Sequence, residues 1–346
     1  MNAVLRSSIR QKDEIRYPGM AEDPALHLSV VESHPLWLVQ RWLKEMGSEE
    51  ALKICQFNNR ISPLTLRANT LKIGRGNLIR KLEEEKLKPL PTFFSEEGIL
   101  LQDPPPTSEL PFMKEGLYII QDEASQLVTS VLDPKPGERI LDACTAPGGK
   151  TTHMAQRMKN QGEICALDVS KGKLHLVEEM CQRLGIKIVK TTKGDAVKSL
   201  PLPQGVKFDR ILADVPCSGF GTLRKNPDLK WRREEKDIRR LAELQVSILS
   251  NLSTYVKERG ILVYSTCTIF HEENEDVVET FLGGHPEFQL DQIEKVASDI
   301  SACRQAGIAN GQSEKLRSFL RNGYFKTFPP KNEMDGFFAA RLRKGS

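Results

Sequence analysis

The sequence of 346 residues contains no apolar run close to the ~18 residues that a membrane-spanning helix requires. Its first residues, MNAVLRSSIRQKDEIRY, carry charges but lack an apolar core followed by a small-residue cleavage site. They therefore do not form a secretory signal. Since these absences exclude membrane insertion and secretion, we expect a cytoplasmic protein with no membrane partner.

Patterns for metals and disulfides are missing as well. The six histidines show no ligand spacing, and none of the seven cysteines belongs to a CxxC pair. An odd cysteine count without such pairs argues against both a disulfide framework and a zinc knuckle. We assign no metal and expect most thiols to be free and buried. The cysteines are Cys55, Cys144, Cys165, Cys181, Cys217, Cys267 and Cys303.

The charge of the whole chain is nearly balanced, with 50 Lys and Arg against 46 Asp and Glu and a net charge of +4. Residues 60–90 depart from this balance, because they hold eight basic and three acidic residues. A basic face of this kind suits the phosphate backbone of a nucleic acid. The alternative is an ordinary solvated helix surface.

Three segments differ in their residue patterns, and at ~150 residues per domain the length allows about two domains. Residues 1–33 lack a sustained apolar period, which predicts a loosely ordered lead-in. Residues 34–115 indicate a small α+β module, and residues 116–346 indicate a larger α/β domain. The module's predicted elements are a helix from His34 interrupted at Gly47, a strand over 64–69, a helix over 75–87 and a strand over 99–101.

Strand and helix patterns alternate from Lys135 onward, with short connections. This alternation predicts an open parallel sheet with helices on both faces, in which ligands lie beyond the carboxyl ends of the strands. The segments 323–328 and 336–342 read as an antiparallel pair at one edge. The predicted strands of the parallel part are 139–141, 163–167, 186–189, 211–213 and 261–264, and the predicted helices are 151–158, 174–184 and 234–256.

A glycine-containing loop follows the first of these strands and leads into a helix. It runs Asp142-Ala-Cys144-Thr145-Ala146-Pro147-Gly148-Gly149-Lys150. Two glycines allow the backbone to approach a ligand closely, and the helix start offers free N–H groups. The loop lacks the first glycine of a Walker A motif and does not match G-x-G-x-x-G, which disfavours triphosphates and dinucleotides.

Carboxylates follow the next two strands. Asp168 ends a strand where a carboxylate can accept both hydroxyls of a ribose. Asp195 follows the third strand, where it could bind an adenine amino group. Each acid alone could be a helix cap or a solvated loop residue. Sites for a ribose and an adenine without a phosphate cradle predict S-adenosylmethionine as the cofactor.

Cys217 and Cys267 follow two further strands, in DVPCSG and YSTCT. Both thiols are expected at the carboxyl edge of the sheet, although a single cysteine after a strand is usually a small buried apolar residue. Carbon 5 of cytosine becomes nucleophilic only after a thiolate adds to carbon 6, and Asp214 is placed to hydrogen-bond the pyrimidine or protonate its N3. The residues alone do not show which thiol adds.

Five motifs occur in the order DACTAPGGKT, ALDVS, KGDA, LADVPCSG and YSTCTIFHEEN, with DGFFAARL at 335–342. In this order and spacing they resemble the Nop2/Sun/RsmB family of RNA cytosine-5 methyltransferases. The resemblance covers about residues 34 to 343. It is greatest to the bacterial RsmB branch, which methylates small-subunit (16S) rRNA.

The resemblance implies a Rossmann-like class I methyltransferase sheet preceded by a small RNA-binding module. It implies that the loop Cys144 to Lys150 binds the cofactor, with Asp168 on the ribose and Asp195 near the adenine. Asp214 would lie near both the methionine end and the target base. Cys267 would be the nucleophile and Cys217 would assist product release.

The implied partner is RNA, with rRNA as the expected substrate and tRNA as the alternative, and no obligate protein partner is evident. An alternative from a different functional class is a non-catalytic RNA-binding assembly factor that retains the fold. The presence of both thiols and of the three acids argues against that reading.

Two charged segments lie near these motifs. The basic run 224–233 reads as a helix entry with Trp231 packed in the core, although an RNA contact with Trp231 stacked on a base is the alternative. The segment Glu272-Glu273-Asn274 is typical of a helix start, where acidic side chains complement the helix dipole.

Overall fold

A computed structural model describes residues 2–11, 16–291 and 319–346 of the chain. Cys303 lies outside these ranges. The chain forms two compact units, one of Met1–Ile61 with Leu223–Glu235 and the other of Ser62–Thr222 with Lys236–Ser346. Because these units follow spatial packing, they divide the sequence elsewhere than at residues 33 and 115, and the predicted domain limits stay a prediction.

Helices and strands alternate through most of the described chain. The helices in these ranges are α1 (Asn2–Arg10), α2 (Pro24–Val31), α3 (Leu36–Asn58), α4 (Arg75–Glu84), α5 (Glu123–Leu132), α6 (Gly149–Arg157), α7 (Lys171–Leu184), α8 (Leu229–Arg232), α9 (Glu235–Ser253), α10 (Glu275–Gly284) and α11 (Pro329–Asn332). Short 3-10 helices occupy Thr107–Glu109 and His271–Glu273. None of the helices within the described part of the chain is long and apolar enough to cross a lipid bilayer.

The strands described are β1 (Leu64–Ala68), β2 (Lys88–Pro91), β3 (Gly98–Gln102), β4 (Tyr118–Ile120), β5 (Arg139–Asp142), β6 (Glu163–Asp168), β7 (Val189–Lys193), β8 (Phe208–Asp214), β9 (Val256–Thr266), β10 (Phe288–Leu290), β11 (Leu320–Arg321), β12 (Tyr324–Lys326) and β13 (Phe338–Lys344). They form a four-stranded sheet in the order β2-β3-β1-β4 and a nine-stranded sheet.

The first unit is helical and differs from the loosely ordered lead-in expected for residues 1–33. Helix α2 starts at Pro24 because the Asp23 side chain caps it by accepting a hydrogen bond from the Leu26 N–H at 2.9 Å. The proline that suggested a break is therefore the first residue of a helix. Helix α3 is kinked at Gly47, as predicted, where φ is 79°. Trp231 is 57% exposed, so the prediction that it packs in the core is wrong.

The four-stranded antiparallel sheet packs against α4, mainly through Leu66, Leu78, Leu82 and Tyr118. Strand β1, helix α4 and strand β3 confirm the elements predicted for this part. Strands β2 and β4 were not predicted from the sequence. Strand β2 carries two prolines, which only an edge strand tolerates, and its outer position accounts for them.

The larger sheet has the order β11-β12-β13-β9-β8-β5-β6-β7, with β10 paired to β13. Neighbours from β9 to β7 are parallel, whereas β13 is antiparallel to β9 and to β12. The predicted parallel sheet and its antiparallel edge are therefore confirmed. Buried apolar side chains cover both faces of the sheet.

One predicted strand is displaced. The strand expected over residues 186–189 lies at Val189–Lys193 instead. Gly185 is left-handed at the end of α7, and the Ile186 N–H returns to the Cys181 carbonyl at 2.9 Å. This Schellman motif makes Ile186 part of the helix end. Its apolar side chain had suggested a strand residue.

Candidate active site

The predicted site residues lie at the carboxyl ends of β5, β6, β7, β8 and β9. Strand β5 has β6 on one side and β8 on the other, so the strand order reverses at β5. A crevice outside the strand ends forms at such a reversal. The fold therefore places the loop after β5 where the sequence analysis expected a cofactor.

The loop from Ala143 to Gly148 is held by backbone contacts to β6. The Thr145 N–H donates to the Leu167 carbonyl at 3.0 Å, and the Ala146 N–H donates to the Asp168 carboxylate at 3.3 Å. Gly148 has φ of 102°, and a Cβ there would lie 3.2 Å from the methyl carbons of Val177. The loop thus requires glycine at this position for its conformation and for close packing on α7.

Asp142 is a buried acid beneath this loop. Its carboxylate accepts a hydrogen bond from the Thr151 hydroxyl at 2.6 Å, and Thr145 contacts the same hydroxyl. Burial raises the pKa of Asp142 to about 7. Asp142 therefore acts within the protein, where it fastens the end of β5 to the first turns of α6.

Lys150 and Asp214 form an ion pair across the strand ends. The Lys150 Nζ lies 2.7 Å from one Asp214 oxygen, and the Ser265 hydroxyl donates to the other at 2.5 Å. Burial by itself lowers the pKa of Lys150, but the Asp214 carboxylate outweighs burial and the pKa is raised. Because its charge is engaged by Asp214, Lys150 does not provide a free cation for a phosphate.

Cys144 lies in the most acidic part of the site. Burial, and then the negative charge of nearby carboxylates, raises the pKa of its thiol. These carboxylates belong to Asp142, Asp214, Asp168 and Asp195. An acidic crevice without a phosphate cradle suits an adenosyl ligand that carries positive charge, so the residues present fit S-adenosylmethionine. Asp195 itself accepts the Val197 N–H at 3.1 Å and is not hydrogen-bonded to the loop.

Cys217 and Cys267 are direct neighbours. Their sulfur atoms lie 3.3 Å apart, and the Cys267 N–H lies 3.3 Å from the Cys217 Sγ. The contact with the Cys267 thiol, together with burial, raises the pKa of Cys217 well above its ordinary value. The structure thus brings the two predicted thiols together.

Backbone hydrogen bonds join the segments that contain Cys217 and Cys267 to the turn between α11 and β13. The Gly221 N–H donates to the Cys267 carbonyl at 2.9 Å, and the Gly336 N–H donates to the Gly221 carbonyl at 2.7 Å. A Cβ on Gly221 would lie 2.0 Å from the Gly336 oxygen, so this approach requires glycine. Three chain segments therefore meet beside the thiols.

Two buried side chains near the site were missed by the sequence analysis. Arg67 on β1 bonds the first turn of α6, and no short-range pattern marks it, since its partners lie far along the chain. Glu273 was considered only as an acid at a helix start. Helix α10 does begin directly after this segment, at Glu275, but the Glu273 side chain is fully buried, which no local pattern marks. No group of metal-ligating side chains occurs among the residues that the structure describes.

Comparisons with known proteins place the chain in a family. Residues 129–343 match the family model "16S rRNA methyltransferase RsmB/F". Residues 34–108 match the model "Methyltr_RsmF/B-like, ferredoxin-like domain". The first match covers more than half of the chain.

Individual relatives point the same way. The chain is 38% identical to the probable ribosomal RNA small subunit methyltransferase B of Bacillus subtilis, over 99% of this chain and 73% of the relative. It is 34% identical to ribosomal RNA small subunit methyltransferase B of Escherichia coli O6:H1, over 99% and 72%.

Solved structures share the fold. NSun6 from Pyrococcus horikoshii, solved with SFG, superposes with a TM-score of 0.76 at 28% identity, over 91% of this chain and 100% of that one. A methyltransferase homologue from Pyrococcus horikoshii gives a TM-score of 0.75 at 29% identity, over 93% and 99%. These matches and the family support S-adenosylmethionine as the cofactor. Taken with the sheet and its paired thiols, they show that the chain is an RNA methyltransferase belonging to the RsmB/F family.

Proposed function

We propose that this protein methylates carbon 5 of a cytidine in RNA, with 16S rRNA as the substrate, through a covalent adduct between Cys267 and carbon 6 of the base. The observation that carries the proposal is the pair of thiols with sulfur atoms 3.3 Å apart. Both follow strands that end beside the acidic crevice. The names of the relatives support rRNA as the substrate.

The chemistry explains why a thiol is needed. The Cys267 thiolate forms a bond to carbon 6, which makes carbon 5 electron-rich. S-Adenosylmethionine supplies an electrophilic methyl group when it is bound. A base then removes the proton from carbon 5, the electron pair restores the double bond between carbons 5 and 6, and the sulfur–carbon 6 bond breaks to return the Cys267 thiolate.

The environment of the two thiols supports different roles for them. The raised pKa of Cys217 keeps its proton on sulfur, which makes it a poor nucleophile. We therefore assign nucleophilic attack to Cys267 and assistance in product release to Cys217, the role that the family resemblance implies. Asp214 is assigned a hydrogen bond to the pyrimidine ring, since Lys150 and Ser265 fix its orientation.

The cofactor would be held by the loop after β5 and by the two acids that follow β6 and β7. Asp168 would accept hydrogen bonds from the ribose hydroxyls, and Asp195 would lie near the adenine. The loop residues proposed for this role are Cys144, Thr145, Ala146, Pro147, Gly148, Gly149 and Lys150.

RNA binding is assigned to the small α+β module at residues 34–115. Fewer basic side chains of this module can contact RNA than its charge suggests. Arg67 is buried, and Arg75 donates a hydrogen bond to the Ser95 carbonyl at 2.8 Å. Lys72 is also engaged, because its ammonium group donates to the Glu115 and Arg183 carbonyls at 2.7 Å, and Lys88 pairs with Asp103 at 3.0 Å. Arg80, Lys81 and Lys86 are exposed and are the side chains that we assign to phosphates.

The test uses unmodified small-subunit rRNA with the cofactor. Cys217→Ala is expected to accumulate a covalent protein–RNA adduct, visible as a band that survives denaturing gel electrophoresis, because release is blocked. Cys267→Ala is expected to lose methylation and to form no adduct. Cys165→Ala, which alters a buried thiol on β6, is the matched control and should retain activity. Methylation that survives in Cys267→Ala would overturn the mechanism.

The substrate is tested separately by mapping 5-methylcytidine in total RNA from cells with and without the gene. Loss of a mark in 16S rRNA supports the proposal. Loss confined to tRNA would replace rRNA by tRNA as the substrate. If deletion of the gene removes no 5-methylcytidine, and an active-site variant still binds RNA, a non-catalytic assembly role is favoured.

A further inference from the structure

Glu273 is a fully buried carboxylate behind the two thiols. One of its oxygens accepts hydrogen bonds from the Ser218 N–H at 2.8 Å and from the Gln245 amide at 3.0 Å. The other oxygen accepts the Ser218 hydroxyl. All three donors are neutral.

These bonds reach both cysteine segments. Ser218 directly follows Cys217, and its hydroxyl lies 2.9 Å from the hydroxyl of Thr268, which directly follows Cys267. Gln245 also donates to the Pro216 carbonyl at 2.9 Å. The Glu273 carboxylate is thus hydrogen-bonded directly to Ser218, which follows Cys217. Through the Ser218 hydroxyl it is linked to Thr268, which follows Cys267.

The polypeptide around Glu273 is itself anchored. The Tyr264 hydroxyl on β9 contacts the Glu273 carbonyl and donates to the Gln245 side chain at 3.0 Å. Asn274 donates to the Thr268 carbonyl at 3.1 Å. These hydrogen bonds fix the position of the Glu273 carboxylate. A side chain can hold other side chains in place only if its own position is fixed in this way.

A carboxylate suits this place better than a neutral side chain. Burying a charged group costs free energy unless hydrogen bonds compensate for the lost water. Glutamine has a similar shape, but it can accept from the Ser218 N–H and the Gln245 amide only with its oxygen at the Oε1 position, and its N–H group then forces the Ser218 hydroxyl to accept instead of donate. The negative charge also contributes to the raised pKa of Cys217, after the contact with Cys267 and burial.

We propose that Glu273 is a positioning residue for the methyl transfer: it holds the segments that carry Cys217 and Cys267 so that the two thiols face each other. This inference rests on the proposed function, because it assumes that both thiols take part in the reaction. Glu273 acts through Ser218 and Thr268 and is not assigned any contact with RNA or cofactor.

The experiment compares full-length Glu273→Gln with Glu272→Gln, which makes the same change at the adjacent residue, whose carboxylate lies 3.7 Å from His271. Steady-state methylation of an unmodified 16S rRNA transcript is expected to show kcat lower by about 10²-fold in Glu273→Gln, the loss typical of a displacement of about 1 Å. KM for the transcript should stay within about twofold of wild type, because no substrate contact is removed. Glu272→Gln should match wild type.

A second readout needs no methylation. Iodoacetamide labelling of the free protein at pH 8, resolved by mass spectrometry for each cysteine, is expected to be several-fold faster at Cys217 in Glu273→Gln, because loss of the nearby charge favours the thiolate. Labelling of Cys181 serves as the internal reference. Equal acceleration at all cysteines would indicate general loosening and would overturn the inference.

If Glu273→Gln does not fold, Ser218→Ala decides, since it removes one hydroxyl of the same network and little volume. A lower kcat with unchanged KM in Ser218→Ala supports the inference, and unchanged kcat overturns it. Folded Glu273→Gln with wild-type kcat and wild-type labelling overturns it too. Failure of the proposed function is distinguishable, because the wild-type protein would then form no 5-methylcytidine while the labelling comparison still applies.

Discussion

Arg67 donates a hydrogen bond from Nη1 to the Gly149 carbonyl at 2.6 Å, and its Nη2 donates to the Thr152 hydroxyl at 2.9 Å. Arg67 belongs to β1 of the small sheet, whereas Gly149 and Thr152 form the first turn of α6. Burial lowers the pKa of Arg67 to about 9. A strand of the small sheet therefore supports the loop that is proposed to hold the cofactor.

We expect Arg67→Lys to weaken S-adenosylmethionine binding by about tenfold. A lysine cannot reproduce the planar fork, and a buried acceptor left without its charged donor costs roughly 1–3 kcal/mol. Isothermal titration calorimetry measures the affinity, and Arg80→Lys on the exposed face of α4 is the control. Equal affinities in wild type and Arg67→Lys would contradict this role for Arg67.

Gly148→Ala should weaken cofactor binding and lower the melting temperature. Gly148 has φ of 102°, where an L-residue is strained by about 1–2 kcal/mol, and its new Cβ would crowd Val177 at 3.2 Å. Gly137→Ala is the matched control, because φ there is 87° but no heavy atom lies within 4 Å. We expect both variants to lose stability and only Gly148→Ala to lose affinity. Calorimetry and thermal unfolding separate the two effects, and equal affinity losses would argue against a local role of the loop.

Asp214→Asn is expected to lower the single-turnover rate constant of methylation by about 10²-fold, the usual loss when a fixed hydrogen-bonding group at the reacting substrate is altered. The change leaves the side-chain shape intact but removes the charge that pairs with Lys150. Asp209→Asn, at the other end of β8, removes a surface ion pair with Lys257 and serves as the control. The measurement is single-turnover methylation of rRNA. Activity in Asp214→Asn equal to that in Asp209→Asn would remove Asp214 from the reaction.

His34 makes the stability of the first unit depend on pH. Its neutral imidazole lies 2.6 Å from the Glu32 carbonyl through Nδ1 and 3.4 Å from the Asn58 amide through Nε2. Burial, aided by Lys230, lowers its pKa from 6.5 to about 4. Because the unfolded chain binds the proton more readily, the stabilisation is complete above pH 6.5 and is lost as pH falls toward 4.

From pH 7.5 to pH 5.0 this loss amounts to about 2 kcal/mol in the free energy of unfolding. All three tryptophans lie in the first unit, so their fluorescence during urea denaturation reports on this unit alone. His34→Gln should show a smaller pH dependence than wild type, whereas His175→Gln, an exposed histidine, should show the same dependence as wild type. An identical pH dependence in His34→Gln would refute the assignment.

Local patterns predicted most of the large sheet, because buried parallel strands such as β5 and β8 are short apolar runs with an acid at the end. These patterns failed where a capping hydrogen bond within a few residues decided the local structure. Ile186 has strand character but closes a helix, and Pro24 has breaker character but starts one. In both cases a cap made by a neighbouring residue determined the outcome.

The site shows the same division. The residues after each strand were predicted because strand ends of a parallel sheet share one edge. Contacts between distant segments could not be predicted, since the sequence does not specify which side chain faces which. The bond from Arg67 to Gly149, the pairing of Lys150 with Asp214 and the burial of Glu273 belong to this second group.

The hydrogen bond from Gly336 to Gly221 has a consequence for biosynthesis. A ribosome that has just added Cys267 has made both thiols, but neither Gly336 nor the strand that pairs with β9 exists yet. The two thiols therefore reach their final arrangement only after translation has passed residue 344. A chain terminated between these points would carry every proposed catalytic group but would lack both the Gly336 hydrogen bond to Gly221 and the strand that pairs with β9.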